Sequence, residues 1–188
     1  GQLMQDVGVS VRLNQHVERI TIDQGRATGV ELASGESIAA DLVICNGDPA
    51  QIYRNLVPAE NRKRWTNRRI DALKYSMGLY VLYFGTDRKY TDVEHHTIVF
   101  GEQYQELLQR IFAGEPAGDD LSLYLHRPTA TDPNLAPEGK DTFYVLAPVP
   151  NLQRHDWLAV QDQVRERVID ILEQRILPDL RQHMDVCF

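Results

Sequence analysis

The sequence predicts an α+β or α/β protein, and three observations lead to this prediction. Between residues 9 and 32, apolar and polar residues alternate in short runs, which is typical of strands with one exposed face. Residues 42–45 form an unbroken apolar run, which is typical of a strand buried on both faces. Residues 157–176 repeat apolar positions every three or four residues, as an amphipathic helix does.

These patterns predict two parts with different architectures. Residues 1–50 are expected to form a β-meander followed by one buried strand. Residues 51–188 are expected to form a second domain with a mixed or antiparallel sheet and helices. Because the last residues, 186–188, are an apolar run without a polar tail, we expect this domain to be truncated and the sequence to be an internal segment of a longer protein.

The overall composition excludes some classes of function. The formal net charge of -7 argues against nucleic-acid binding, since phosphate contacts require a basic surface. No apolar run is long enough to span a bilayer. Cys45 and Cys187 lie far apart in apolar surroundings, which predicts buried, inert thiols in a reduced cytoplasmic protein rather than a disulfide.

The first part is predicted strand by strand. Strands are expected at residues 9–13, 17–22 and 28–32, with a hairpin turn at 23–26 between the second and third. A further turn at 34–36 leads towards the buried run.

The turn that follows the buried run is the first candidate for ligand contact. Asn46-Gly47 tolerates positive φ, and Asp48 can cap a helix that begins at Pro49. Ligands of α/β proteins lie at the carboxyl ends of strands, so these residues could line a cofactor. An ordinary turn followed by a helix cap explains them equally well.

The second part is predicted to contain four strands and two longer helices. Strands are expected at residues 76–86, 97–100, 121–125 and 143–147, with the first in a central position. Helices are expected at 103–111 and 157–176.

A basic cluster lies in a predicted helical region at residues 59–73. It consists of Arg62, Lys63, Arg64, Arg68 and Arg69. Such a cluster is typical of a solvated helix face, and the alternative is a surface that faces anionic lipid.

Motifs for chemistry are few. The sequence has no glycine-rich phosphate loop and no nucleophile motif. His95 and His96 are adjacent, and neighbours on a strand point to opposite faces, so we predict no metal site there. A structural or loop role is expected for this pair, with proton handling or substrate contact as the alternative.

Several stretches resemble the bacterial and fungal type of phytoene desaturase (phytoene dehydrogenase), a flavin-dependent carotenoid desaturase. The more specific ones are His-His-Thr at 95–97, Leu-Ala-Pro-Glu-Gly at 135–139 and Leu-Ala-Pro-Val-Pro at 146–150. Other matching stretches occur in the same order as in the family, at residues 41–49, 81–85, 121–126 and 128–133.

The resemblance implies an intact enzyme that binds FAD on a Rossmann-like domain and desaturates the C40 polyene phytoene towards lycopene or a related carotene. The flavin would take a hydride from an allylic carbon, and the neighbouring carbon would lose a proton. Since phytoene resides in the bilayer, the enzyme is expected to be cytoplasmic and attached peripherally to the membrane surface. The wider group also includes carotenoid isomerases and other enzymes like the flavin amine oxidases, which remain alternatives.

The resemblance also implies roles for individual residues, although none as a catalytic group. Val17 would contact the adenine through its backbone, and Asn46, Gly47 and Asp48 would approach the dinucleotide. Apolar walls for the polyene would come from Leu79, Val81, Tyr83 and Leu125.

The glycine-rich flavin motifs of the family are absent from this sequence, so we expect the segment alone to bind FAD weakly or not at all and to be inactive. The alternative from another class is a non-catalytic module that binds lipid or a protein.

Overall fold

The structure is a computed structural model that describes residues 1–116, 118–152 and 156–188. The chain forms two compact units, Gly1–Lys74 and Tyr75–Phe188. Residues 51–74 belong to the first compact unit, whereas the predicted division into domains at residue 50 stays a prediction. Within that unit the helical turn Ile52–Leu56 contacts the strand Val17–Asp23.

The first unit contains an antiparallel meander in the order β1-β2-β3. Its strands are β1 (Val17–Asp23), β2 (Arg26–Leu32) and β3 (Ser37–Ala39). Gln24 and Gly25, between β1 and β2, both have positive φ, at 47° and 79°. Two such residues match the twist of a tight hairpin, and the predicted hairpin is confirmed.

Short helical segments make up much of the rest of this unit. They are α1 (Gln2–Asp6), α2 (Pro49–Gln51), a π-helical turn (Ile52–Leu56), a 3-10 turn (Ala59–Asn61) and α3 (Asn67–Asp71). Asp48 caps α2 as predicted, since its carboxylate accepts a hydrogen bond from the Gln51 amide at 3.0 Å. The basic cluster is not on one helix, because the chain leaves the 3-10 turn and starts a new helix after the Thr66 cap.

Two predicted strands are not formed. Residues 9–13 and 42–45 lie outside any sheet, and Leu42 and Ile44 are 73% and 85% exposed. A strand is held by the hydrogen bonds of its neighbour, and no described strand pairs with either stretch. The prediction of one buried strand in this part is therefore wrong for this chain.

The second unit contains a five-stranded antiparallel sheet in the order β5-β6-β7-β4-β8. Its strands are β4 (Gly78–Thr86), β5 (His96–Val99), β6 (Leu123–His126), β7 (Asp141–Val149) and β8 (Met184–Cys187). The interior position of β4 was predicted, whereas β8 at the edge was not. The two longer helices are also confirmed, as α4 (Tyr104–Ala113) and α5 (Trp157–Arg175), and a short helix α6 (Leu180–His183) follows.

Burial alternates along β7, where Phe143, Val145 and Ala147 are buried and the residues between them are half-buried. The buried side of the sheet forms the core with Leu107 and Ile111 of α4 and with residues of α5. Alternation of this kind gives the sheet one covered face and one open face. The open face carries the candidate site.

Two further predictions concern the surface. Cys45 and Cys187 are free, as predicted, but both are exposed, so the prediction of buried thiols is wrong. In the part of the chain that the structure describes, no helix combines the length and apolar character needed to cross a membrane.

Candidate functional site

An aromatic row crosses the open face of the five-stranded sheet. His96 lies opposite His126, His126 opposite Tyr144, and Tyr144 opposite Tyr83. Phe188 extends the row, since its backbone pairs with that of Tyr83 and its ring stacks at 5.9 Å. The other ring centroids along the row are 4.5–5.8 Å apart. Each ring therefore contacts the next across the width of the sheet.

An apolar row lies beside the aromatic row. It consists of Ile98, Tyr124, Leu146 and Val81, again one residue from each of four neighbouring strands. Leu79 and Pro148 form a third, shorter row. With strand spacing of about 4.8 Å and a rise of about 3.3 Å per residue, the longest row extends roughly 19 Å, and the first and third rows lie roughly 13 Å apart. We refer to this surface as the open sheet face.

Three of the four predicted substrate residues lie on the open sheet face. Leu79, Val81 and Tyr83 are 54%, 36% and 47% exposed. Leu125 is fully buried in the core, because it lies between Tyr124 and His126 on β6 and points to the other side of the sheet. The structure therefore does not bring Leu125 to the same surface.

A cleft adjoins one end of the open sheet face. Its volume is about 400 Å³, and Leu79 and Val81 contribute to its wall together with Val149, Pro150 and Leu152. The lining is mainly apolar, so the cleft extends the apolar surface beyond the edge of the rows.

The other end of the face holds a histidine cluster, formed by His95, His96 and His126. The three rings contact one another, with centroids 4.3–5.1 Å apart. His95 and His96 were predicted to point to opposite faces, as neighbours on one regular strand do. This prediction is wrong because β5 begins at His96 and His95 lies in the bend before it. Both rings can therefore turn towards His126 on β6.

Hydrogen bonds orient the cluster. His95 Nε2 lies 2.7 Å from His126 Nε2, so one of these nitrogens donates to the other. His95 Nδ1 pairs with the Thr131 hydroxyl, and His96 Nδ1 lies 2.7 Å from the Tyr124 hydroxyl. Burial, and then the two neighbouring histidines, lower the pKa of His126 below its usual value, which favours the neutral ring.

Buried hydrogen bonds to Asp141 hold the loop that carries Thr131. Asp141 at the start of β7 accepts hydrogen bonds from Arg127 Nε at 2.9 Å and from the Thr129 hydroxyl at 2.7 Å. Tyr90 adds a backbone hydrogen bond to the same carboxylate at 2.8 Å. These bonds stabilise the long loop between β6 and β7, because its polar groups are satisfied by buried partners.

The residues predicted to contact a dinucleotide all lie in the first unit. Val17 is half-buried at the start of β1, and Asn46 and Gly47 are exposed. The Asp48 carboxylate is already used by the Gln51 amide, and Pro49 at the helix start has no N–H to offer. These residues do not by themselves build a diphosphate cradle, and their predicted contacts with a dinucleotide stay a prediction.

Sequence reasoning missed several residues of the site. They are Ile98, Tyr124, His126, Tyr144, Leu146, Pro148 and Phe188. For Tyr124 and His126 the signal was the alternation in Leu-Tyr-Leu-His at 123–126, which places both on one side of the strand. The side and the partners followed only from the pairing of the strands.

Comparison with known proteins adds sequence relatives. A family model described as "Flavin containing amine oxidoreductase" matches residues 2–185. A phytoene desaturase (neurosporene-forming) of Cereibacter sphaeroides is 45% identical over 179 residues, which are 92% of this chain and 35% of that protein. A phytoene desaturase (lycopene-forming) of Paracoccus sp. is 44% identical over 184 residues, which are 97% of this chain and 37% of that protein. The resemblance to phytoene desaturases is thus confirmed, and the chain spans little more than a third of these relatives.

Solved structures share the fold. An oxidoreductase from Methanosarcina mazei matches all of this chain and 39% of its own, with a TM-score of 0.67 and 17% identity. A protein from Pyrococcus furiosus matches with a TM-score of 0.65 and 15% identity, again over 39% of its length. These similarities confirm the α+β fold class.

Proposed function

The chain belongs to the flavin-containing amine oxidoreductase family, and from this premise we propose that it is part of an FAD-dependent carotenoid desaturase that converts phytoene towards lycopene or a related carotene. Support comes from relatives whose names specify phytoene and from the chemistry of the open sheet face.

The open sheet face is the observation that carries the proposal. A polyene offers no hydrogen-bonding groups, so a surface that holds it must consist of apolar and aromatic side chains. The three rows of this face provide such side chains without a fixed charge. Burying them against a ligand would stabilise the complex by about 25 cal/mol for each Å² of apolar area removed from water.

Within this proposal, each part of the face has its own role. Leu79 and Val81 bind the aliphatic part of the chain and line the adjoining cleft. The rings of Tyr83 and Tyr144 pack flat, rigid surfaces against the conjugated part. A contiguous apolar surface also excludes water from the bound segment.

The family description implies a flavin, and FAD is the form that we propose for the whole protein. The residues of this chain do not by themselves form a diphosphate cradle for it. The proposed contacts at the edge of the FAD site are Val17, Asn46, Gly47 and Asp48.

We also propose that the whole protein acts in the cytoplasm, bound peripherally to the membrane. The substrate class supports this proposal, and so does the basic cluster, of which Lys63, Arg64, Arg68 and Arg69 are exposed. Basic side chains of this kind are attracted to anionic lipid head groups.

The test uses the complete gene product that contains this sequence. The purified protein is supplied with FAD and with liposomes that contain phytoene, and visible absorbance is followed. We expect absorption bands of a more strongly conjugated polyene. A flavin-bound protein that leaves phytoene unchanged would instead support an isomerase or another carotene substrate. A protein that takes up no flavin would support a non-catalytic binding module.

A further inference from the structure

The histidine cluster has a feature that polyene binding does not require. One ring nitrogen from each of His95, His96 and His126 lies within 4.8 Å of those from the other two. Three imidazoles in this arrangement are a common ligand set for zinc, and imidazole also suits copper, nickel and cobalt. We propose that His95, His96 and His126 form a binding site for a divalent transition-metal ion, with Zn²⁺ as the preferred occupant.

Backbone pairing holds the three ligands in place. His96 and His126 are directly opposite each other on β5 and β6. His95 is fixed by its carbonyl, which accepts a hydrogen bond from the Arg127 amide at 2.9 Å. The cluster therefore rests on a sheet and its anchored loop, which is the kind of rigid support that a metal site needs.

Partners outside the cluster orient two of the rings. The Thr131 hydroxyl pairs with Nδ1 of His95, and the Tyr124 hydroxyl pairs with Nδ1 of His96. A partner on Nδ1 leaves Nε2 for an ion, and histidine ligands in proteins are usually held in this way.

His126 supplies an independent observation. Its Nδ1 is buried and has no hydrogen-bond partner among the described residues. A buried polar nitrogen without a partner is unfavourable, so the described residues do not fully use the hydrogen-bonding capacity of this ring.

The distances fit an ion after a small adjustment. His95 Nε2 and His126 Nε2 are now 2.7 Å apart, as in a hydrogen bond. A tetrahedral zinc ion with Zn–N bonds of about 2.0–2.1 Å needs its ligand nitrogens roughly 3.3 Å apart. These two nitrogens must therefore separate by about half an ångström. The His96 nitrogen, which lies within 4.8 Å of the others, must come to a similar distance, and side-chain rotations achieve both changes. Three protein ligands leave the fourth position of such an ion open. This inference is independent of the proposed desaturase function.

The experiment measures metal binding by the chain directly. The chain is purified without a histidine tag, stripped with a chelator, and titrated with Co²⁺ and then Zn²⁺. We expect one equivalent of Co²⁺ to bind with the visible absorption of a four-coordinate site, and Zn²⁺ to displace it. His126→Gln should lower the affinity by at least about 100-fold, since it removes one of three ligands.

Two kinds of variant control for non-specific effects. His16→Gln changes an exposed histidine in the first unit and should leave the affinity unchanged. Tyr124→Phe keeps all three ligands but removes the partner of His96, and should weaken binding by about 10–100-fold. If His126→Gln does not fold, the metal affinity of Tyr124→Phe tests the inference in its place. The inference is overturned if the chain takes up no Co²⁺, or if neither the His126 nor the Tyr124 variant binds more weakly than the His16 control.

Discussion

The Asp141 carboxylate accepts a hydrogen bond from Arg127 Nε at 2.9 Å, and both side chains are buried. Arg127 also donates to the Val93 carbonyl at 2.7 Å, and Asp141 holds Thr129. This ion pair fixes the loop that presents Thr131 to His95. It therefore links the core of the second unit to the histidine cluster.

Replacing Asp141 by Ala should destabilise the second unit by about 3–5 kcal/mol, because Arg127 would remain as an uncompensated buried charge. Urea unfolding measures this loss. In a Trp65→Phe background, Trp157 is the remaining tryptophan and reports on the second unit.

A control and a double variant separate charge burial from general damage. Asp162 pairs with Arg165 on the surface, so Asp162→Ala should have little effect. Replacing both members, as Arg127→Met with Asp141→Leu, should be less destabilising than Asp141→Ala alone. An Asp141→Ala variant as stable as Asp162→Ala would contradict the assigned role.

The free energy of unfolding should decrease when the pH is lowered from neutral, and we expect His126 to contribute to this decrease. The ordinary pKa of the ring is 6.5, and the folded chain lowers it through burial and two neighbouring histidines. Above pH 6.5 the ring is neutral in both states, and its contribution to stability is complete. As the pH falls below 6.5, the unfolded chain takes up the proton first, so the folded state loses stability. The measurement compares urea midpoints at pH 8 and pH 5 with chelator present.

His126→Gln provides the comparison for this pH effect, since glutamine does not titrate. The variant should show a smaller loss between pH 8 and pH 5 than the parent chain. His183→Gln, at the exposed pair with Asp87, serves as the matched histidine control. If the His126 variant lost as much stability as the parent, the pH dependence would have another source.

Gly29 on β2 should be more sensitive to substitution than the turn residue Gly25. Gly29 has φ of +151°, and an added Cβ would lie 2.1 Å from the Ile38 carbonyl oxygen on β3. Gly29→Ala must therefore force β2 and β3 apart. Gly25 has φ of +79° and open space around it, so Gly25→Ala should lose only about 1–2 kcal/mol, from left-handed backbone strain.

Unfolding of the first unit measures the difference between these glycines. In a Trp157→Phe background the remaining tryptophan is Trp65, which stacks on Tyr53 at 5.0 Å. Equal losses for the two alanine variants would show that β2 and β3 are not in close contact at Gly29.

Val81→Asp should impair the turnover of phytoene in the complete gene product by about tenfold or more. The substitution places a charge within the apolar row, and a bound polyene would have to desolvate it. The effect should appear mainly in KM, because the face is proposed to bind substrate. The assay is the appearance of conjugated product at several phytoene concentrations.

Phe112→Asp is the matched control for this prediction. Phe112 is also exposed, but it lies on α4, whose Leu107 and Ile111 pack into the core. Its substitution should leave KM unchanged. Similar losses in both variants would indicate a general effect of charge on the protein rather than a role of the open sheet face.

Periodicity in the sequence was sufficient for the elements that carry their own signal. The hairpin at Gln24-Gly25, the central strand β4 and the helix α5 were predicted because turn residues, β-branched runs and a repeat near 3.6 are local properties. The strand predicted at residues 42–45 was wrong for a related reason. An apolar run indicates that a segment is favoured in a buried position. It does not show whether a neighbouring strand is present to pair with the segment and cover it.

Local patterns in the sequence were sufficient to predict an α+β or α/β protein and the positions of most strands. The family resemblance added three residues of the open sheet face, Leu79, Val81 and Tyr83. The packing of the second unit was needed to show that Leu125 belongs to the core and that His95, His96 and His126 meet. The physical reason is strand register: alternation assigns each residue to one of two faces, but pairing between distant strands decides which side chains become neighbours. His95 does not follow that alternation, because β5 begins only at His96.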